Sequence, residues 1–324
     1  MTFRARLSLL LALAAWLTAT DAAATEPEAW TSRFGRDWPL VGQIWDVNRR
    51  TAIDKVILEQ RLADADFVLL GEKHDNPDHH RLQANLVAGM IRVGRRPAVA
   101  FEMLTPDQAP ALAAYLRQHP GDAAGIGEAV NWSASGWPEW RLYRPIAAAA
   151  LDGGVVIVAA NLSQAEVAAL RTGDFAAALG RQRAEALGLL QSMPAALQDQ
   201  VTTELRQEHC GLLPAAALPA MLRIQRARDA VLAEALSEHG QTGGGILIAG
   251  AGHIRNDRAV PFYLHRLRPA AAVLSLAFIE AHDGATVPNW ASLPYDYVWF
   301  TPVVDDRDPC EKFKDQLQHM KRKD

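Results

Sequence analysis

Glu72, His74, Glu102 and His253 are the residues whose types and spacing point to chemistry. Each follows a short apolar run. Phe67-Val68-Leu69-Leu70 leads into Gly71-Glu72-Lys73-His74, Ala98-Val99-Ala100-Phe101 into Glu102, and Ile246-Leu247-Ile248-Ala249 into Gly250-Ala251-Gly252-His253. Such runs bounded by glycine read as buried parallel strands. Open α/β sheets build their ligand crevices at the carboxyl ends of those strands. Two histidines and two carboxylates meeting there would serve as metal ligands or as a general acid/base set. The plainer alternative is a satisfied polar network that holds loops in place, because buried carboxylates need partners.

Two further groups surround this set. His79 and His80 follow Asp75-Asn76-Pro77 at the start of an expected helix, where neighbours point about 100° apart. They therefore do not form the i, i+4 pair of a zinc protease, and one of them is left to face the crevice. The stretch Trp137-Pro138-Glu139-Trp140-Arg141-Leu142-Tyr143-Arg144-Pro145 holds three aromatics and two arginines, in a chain with only 7% aromatics. Tryptophan faces with Arg141 and Arg144 would suit a planar, apolar, anionic ligand, and a Tyr143 phenolate could coordinate ferric iron. The competing reading is an aromatic packing corner near a helix start.

The elements that must position these groups alternate. Strands are expected at Val41–Trp45, Phe67–Leu70, Ala98–Phe101, Val155–Asn161, Ile246–Ala249, Val273–Ile279 and Tyr297–Phe300. Helices are expected between them, over Ile53–Leu62, from Asn76 to about Val93, from about Pro106 to Gln118, and after the capping box Ser163/Glu166. Residues 174 to 239 carry helical periodicity and almost no strand signal, so a helical insertion or subdomain is expected there. The fold class is α/β, a mainly parallel sheet flanked by helices and built from right-handed βαβ units.

Arg4 and Arg6 ahead of an apolar stretch from Leu7 to about Ala19, followed by Ala22-Ala23-Ala24, read as a signal peptide over residues 1–24. The stretch is short for a membrane span, and no later segment is long enough. No cysteine lies near the expected cleavage at Ala24, so a lipid anchor is not expected there. The mature protein is read as one domain over 25–324, exported to the periplasm and without a transmembrane span. The formal net charge of −4, or −5 once Arg4, Arg6 and Asp21 are removed, gives no support to nucleic-acid binding. The basic tail Lys321-Arg322-Lys323 reads as a solvated terminus. Hydrophobic residues at 49% and charged ones at 22% suit a packed core. Cys210 and Cys310, an even pair in an oxidising compartment, suggest a disulfide, one that the chain-entropy relation values at about 4–5 kcal/mol.

Taken in order, several of these motifs resemble the ChaN-like haem-binding uptake family, in the superfamily of the erythromycin esterases and the Tiki/TraB proteins. They are Gly71-Glu72-Lys73-His74-Asp75-Asn76 with His79-His80 and Gln83, Phe101-Glu102-Met103, Tyr143-Arg144-Pro145, His209-Cys210-Gly211 with Pro214, Gln225-Arg226-Ala227-Arg228-Asp229 and Gly250-Ala251-Gly252-His253. The resemblance covers most of the mature chain. It implies an α/β fold with a helical subdomain and a role in haem or iron uptake at the envelope. It also implies two haems held face to face between two subunits with tyrosine as iron ligand. Tyr143 is the position that fits such a ligand, with Arg141, Arg144, His79 and His80 near the cofactor and a homodimer formed when haem is loaded. The strand-end set Glu72, His74, Glu102 and His253 also resembles the superfamily's hydrolytic site. The alternative function is therefore a hydrolase, esterase-like or, with a divalent metal, peptidase-like.

Overall fold

The computed structural model describes residues 29–290, 293–312 and 314. The expected signal peptide and the basic tail lie outside the described residues.

Eight strands form one sheet: β1 (Ile44–Asp46), β2 (Thr51–Ile53), β3 (Phe67–Glu72), β4 (Ala98–Phe101), β5 (Ile157–Ala159), β6 (Gly245–Gly250), β7 (Val273–Glu280) and β8 (Tyr297–Thr301). Their spatial order is β2-β1-β8-β7-β3-β6-β4-β5. All pairings from β8 to β5 are parallel, and the two antiparallel pairings are those of β1, with β8 and with the edge strand β2. The helices are α1 (Lys55–Asp64), α2 (Pro77–Arg92), α3 (Ala109–Gln118), α4 (Ile126–Ala129), α5 (Trp140–Asp152) and α6 (Gln164–Thr172), then α7 (Phe175–Leu179), α8 (Arg181–Ala186), α9 (Ala195–Glu208), α10 (Leu218–His239), α11 (Val260–Leu267) and α12 (Pro309–Lys312).

Period-two alternation divides the core between the faces of this sheet. Val68 and Leu70 of β3 join Leu62, Leu82, Leu86 and Ile146 of α1, α2 and α5. Phe67 and Leu69 join Leu170, Leu232, Leu236 and Leu264 of α6, α10 and α11. Burying each such side chain is worth about 1.5–3 kcal/mol, so a one-residue slip in β3 would be prohibitive.

The expected α/β class and the order of strands and helices match this architecture. Boundaries moved where short-range signal was weak. The strand expected over Val41–Trp45 is the shorter β1, Ile44–Asp46, and Ile53, expected to open the helix, instead ends the strand β2, so that α1 starts at Lys55. Thr51-Ala52-Ile53 is too short for its alternation to show in sequence. The capping box forms as expected, with the Ser163 hydroxyl accepting from Glu166 N–H and the Glu166 carboxylate accepting from Ser163 N–H. Asn76 caps α2 by accepting from Asp78 N–H at 3.0 Å.

Within residues 174–239 the described elements are all helical, but they have two destinations. Leu232 and Leu236 of α10 lie in the sheet-covering core. Val201 and Leu205 of α9 form a separate small cluster with Leu218. Cys210, just past α9, is disulfide-bonded to Cys310, which closes 100 residues of chain. Replacing Cys310 by serine is expected to cost about 2–4 kcal/mol. Thermal unfolding of the oxidised protein and of the variant checks this, and equal midpoints would refute it.

Candidate functional site

β6 lies between β3 and β4, so the three strands that end in Glu72, Glu102 and Gly250 are neighbours in space. Their register aligns Glu72 with Gly250 and Phe101 with Ile248, and brings the chain ends to one level. Two glycines make the convergence possible. A Cβ on Gly71 would lie 2.5 Å from Ile254 Cδ1 and 2.9 Å from Ala251 Cα. A Cβ on Gly250 would lie 2.9 Å from His74 Nε2 and 3.7 Å from Glu102 Oε2. These positions admit the loop after β6 only because they lack side chains.

Glu72 is the centre of the first half of the site. Its Oε1 lies 2.9 Å from His74 Nδ1 and accepts from the Tyr143 hydroxyl at 3.0 Å. Its Oε2 faces His80 Nδ1 at 3.2 Å, an ion-pair contact without hydrogen-bond angles. The other His80 nitrogen lies 2.9 Å from the His74 carbonyl. Burial alone would raise the Glu72 pKa, but the charge of His80 and the hydrogen bond and charge of His74 hold it well below the usual carboxylate range. Burial lowers the pKa of His74 and His80, and Glu72 more than offsets it, so both end raised. Glu72 is therefore an anion shared by two imidazoles and a phenol.

The second half is built on His253. Its Nδ1 lies 2.6 Å from Asp229 Oδ1 and 3.3 Å from Gln225 Nε2, and its Nε2 lies 3.2 Å from Glu102 Oε1. Glu102 Oε2 accepts from Gly250 N–H at 2.8 Å, and Arg228 stands 3.9 Å from Oε1. Asn161 closes the ring: it donates to the Glu102 carbonyl at 2.6 Å and accepts from Arg228 at 3.0 Å. Burial opposes charge on His253, but Glu102 and Asp229 prevail and push it up to about 10. Burial likewise raises Glu102, which His253 nevertheless pulls down to about 2. At neutral pH His253 is an imidazolium clamped between carboxylates. Charge couples the halves as well, since Glu102 and His253 both act on His74.

The four residues first singled out thus come together as two carboxylate–histidine pairs in one crevice. Asp229, Gln225, Arg228 and Asn161 belong to the same site but carried no site assignment in the sequence. The signal for two of them was present: Gln225 and Asp229 are i, i+4 on a helix whose same face is otherwise alanine and leucine. The divalent-metal version of the alternative finds no support in this geometry. Among the described residues no three His, Cys, Asp or Glu side chains are grouped to hold a metal ion. The carboxylates are instead committed to histidine partners, Glu72 to His74 and His80, and Glu102 and Asp229 to His253.

The residues expected to hold haem are placed differently from the expectation. Tyr143 is fully buried, with its phenol on Glu72 and its pKa pushed up by burial and then by Glu72. It packs against His80 and Trp132, ring centroids 4.3 and 5.1 Å apart. Arg141 and Arg144 lie on the exposed side of α5, Arg141 paired with Glu139. Helical geometry turns Arg141 about 200° and Arg144 about 100° from Tyr143, and both arginines are exposed where the tyrosine is buried. His79 is also sealed: its Nδ1 accepts from Lys73 N–H at 2.9 Å, and its Nε2 lies 2.8 Å from the Thr301 hydroxyl. Burial and the neighbouring His80 push its pKa well down. Tyr143, His79 and His80 are buried side chains, and the segment around Tyr143 packs as an aromatic corner. The accessible imidazole is His74, whose side chain is 33% exposed and stands edge-on to Trp137 at 4.8 Å. Trp137 lines a recess of about 430 Å³ together with Asn161, Arg171 and Arg228.

A helix-flanked, mostly parallel sheet with paired carboxylates and histidines at its strand ends defines the class. The chain belongs to the haem-binding uptake family of the Tiki superfamily, ChaN, matched over residues 58–264. Among solved structures it is similar to ChaN of Campylobacter jejuni, reported with cofacial haem binding. The identity is 20% and the TM-score 0.61, over 79% of this chain and 95% of that one. It is more distantly similar to the type III effector HopBA1, at 14% identity and TM-score 0.44 over 76% and 91% of the two chains. An erythromycin esterase, EreC, in its open conformation, is 14% identical with TM-score 0.36 over 84% and 86%. No protein of curated function matches the chain. Among the described residues no helix is long and apolar enough to cross a membrane.

Proposed function

We propose that this chain is an exported haem-binding protein of haem uptake, carrying haem as cargo and pairing with a second copy when loaded. The family match over residues 58–264 carries the reading. The local chemistry fits a flat anionic ligand at the crevice rim rather than at Tyr143. His74 supplies the open imidazole, Trp137 the flat apolar wall, and Arg171 and Arg228 the cations for carboxylates. Glu72 on His74 Nδ1 orients the ring so that Nε2 is the nitrogen left for iron.

A hemin titration of the chain from Thr25, followed by absorbance, tests this. A saturable Soret change is expected, weakened about tenfold or more in Trp137→Ala and altered in position in His74→Ala. Tyr143→Phe is expected to leave the spectrum as it is. A Soret change lost only in Tyr143→Phe would return the ligand role to the tyrosine and require α5 to open. A non-saturating change identical in all variants would sink haem binding itself. Sedimentation with and without hemin checks the dimer, and a monomer in both would rule it out.

A second reading is favoured by one observation: a carboxylate sits on the Nδ1 of each histidine, Glu72 on His74 and Asp229 on His253, the arrangement that orients a general base. Here His74 would take a proton from the attacking water while Glu72 holds the ring in place. Hydrolysis across a panel of esters, abolished in His74→Asn, would support it. No turnover above that variant would exclude it.

A further inference from the structure

We propose that a cavity beneath α9, separate from the rim recess, is a binding site for a small amphipathic carboxylic acid with an aliphatic body. The cavity has a volume of about 310 Å³, within the range of small-molecule sites. Leu197 and Val201 of α9, with Met193 and Pro194, form one wall. Phe262 and Tyr263 of α11 form the other, and Phe262 is 58% exposed at its edge. These six apolar side chains would bury a chain of several methylenes, at about 0.8 kcal/mol each.

The polar groups on the lining are unequal, and that difference selects the ligand's head. Arg258 is already paired with Glu204, and Asp229 with His253. Arg226 has no acidic partner among the described residues: one NH2 donates to the Gln191 carbonyl at 3.0 Å, and the guanidinium lies 5.1 Å over the Phe175 ring. It is thus the lining cation that still lacks a counter-ion, and a carboxylate is the group that matches a guanidinium in charge and geometry. Tyr263 adds a phenol on the same wall. Ala259, also on the lining, holds φ at +67° and ψ at −154°, a conformation costly for any residue but glycine. Gln225 and Asp229 line the cavity from α10 and contact His253 from behind, so an occupant would lie one residue away from the second carboxylate–histidine pair.

Calorimetric titration with decanoate, below its micellar concentration, tests the site. One-to-one saturable binding is expected, at least tenfold weaker for decanol, which lacks the charge, and undetectable for acetate, which lacks the body. Leu197→Trp, which fills the cavity from a partly exposed position, is expected to abolish decanoate binding and leave the hemin titration unchanged. Arg226→Gln should reduce the preference for decanoate over decanol to near unity. The proposal is overturned by absence of saturable binding, by equal affinity for decanol, or by unaltered affinity in Leu197→Trp. Displacement of decanoate by hemin would also overturn it, since the ligand would then occupy the haem surface.

Discussion

Glutamine in place of Glu72 lowers the stability of this protein by about 3–5 kcal/mol, the cost of removing one partner from a buried charge network. Side-chain size is nearly unchanged, so the effect is electrostatic. Glu72 accepts from Tyr143 and balances His74 and His80, all on buried atoms. The amide would offer an N–H where the wild type offers only acceptors. Tyr143→Phe serves as the internal comparison, because it removes a single hydrogen bond to a charged group, worth about 1.5–3 kcal/mol. The pH dependence has a definite sign. Glu72 has a folded pKa below its ordinary 4.5, so its contribution is complete above that pH and fades as pH falls. His74 and His80 have folded values above their ordinary 6.5, so theirs is complete below that pH and fades as pH rises. The gap in melting temperature between wild type and Glu72→Gln should therefore be widest between about pH 4.5 and 6.5. A gap that grows steadily towards alkaline pH would show that Glu72 is not the anion balancing these histidines.

Asp229→Asn should be the next most damaging change, at about 3–4 kcal/mol. Burial raises the pKa of Asp229 itself, which offsets part of the loss when its charge is removed, and Glu102 still balances His253. The diagnostic measurement is the imidazole titration of His253 by nuclear magnetic resonance. In the wild type it should remain charged until about pH 10, and in the variant it should titrate clearly lower. The stabilisation from His253 is complete below its ordinary 6.5 and is lost as pH rises towards about 10, so wild type and variant should converge in stability over that interval. An unshifted His253 titration would mean that Glu102 alone holds the charge.

These networks explain which parts of the site were legible in sequence. Glu72, His74, Glu102 and His253 stood out because each ends an apolar run, and a parallel sheet must place such ends at one edge. Asp229 carried a spacing signal with Gln225 but no role, because a buried acid on a helix shows its function only once its partner, His253, is known. Tyr143 misled for the complementary reason. In the sequence it sits beside two arginines, but on a helix its neighbours in space are one turn away, and Glu72 is 71 residues away. Local composition suggested a ligand surface where the fold builds a core corner.

By itself, the sequence determined the α/β class, the strand ends that carry the chemistry, the caps of α2 and α6, and the two cysteines available to pair. All follow from short-range physics: periodicity, glycine at the ends of apolar runs, and capping side chains that bond their own backbone. Only the tertiary structure decided the order β7-β3-β6-β4, and with it the division of four titratable residues into two pairs, each closed by a further partner. It also decided that the His74 imidazole is partly open and the Tyr143 phenol buried. Those outcomes depend on contacts between segments far apart in the chain, which no local pattern encodes.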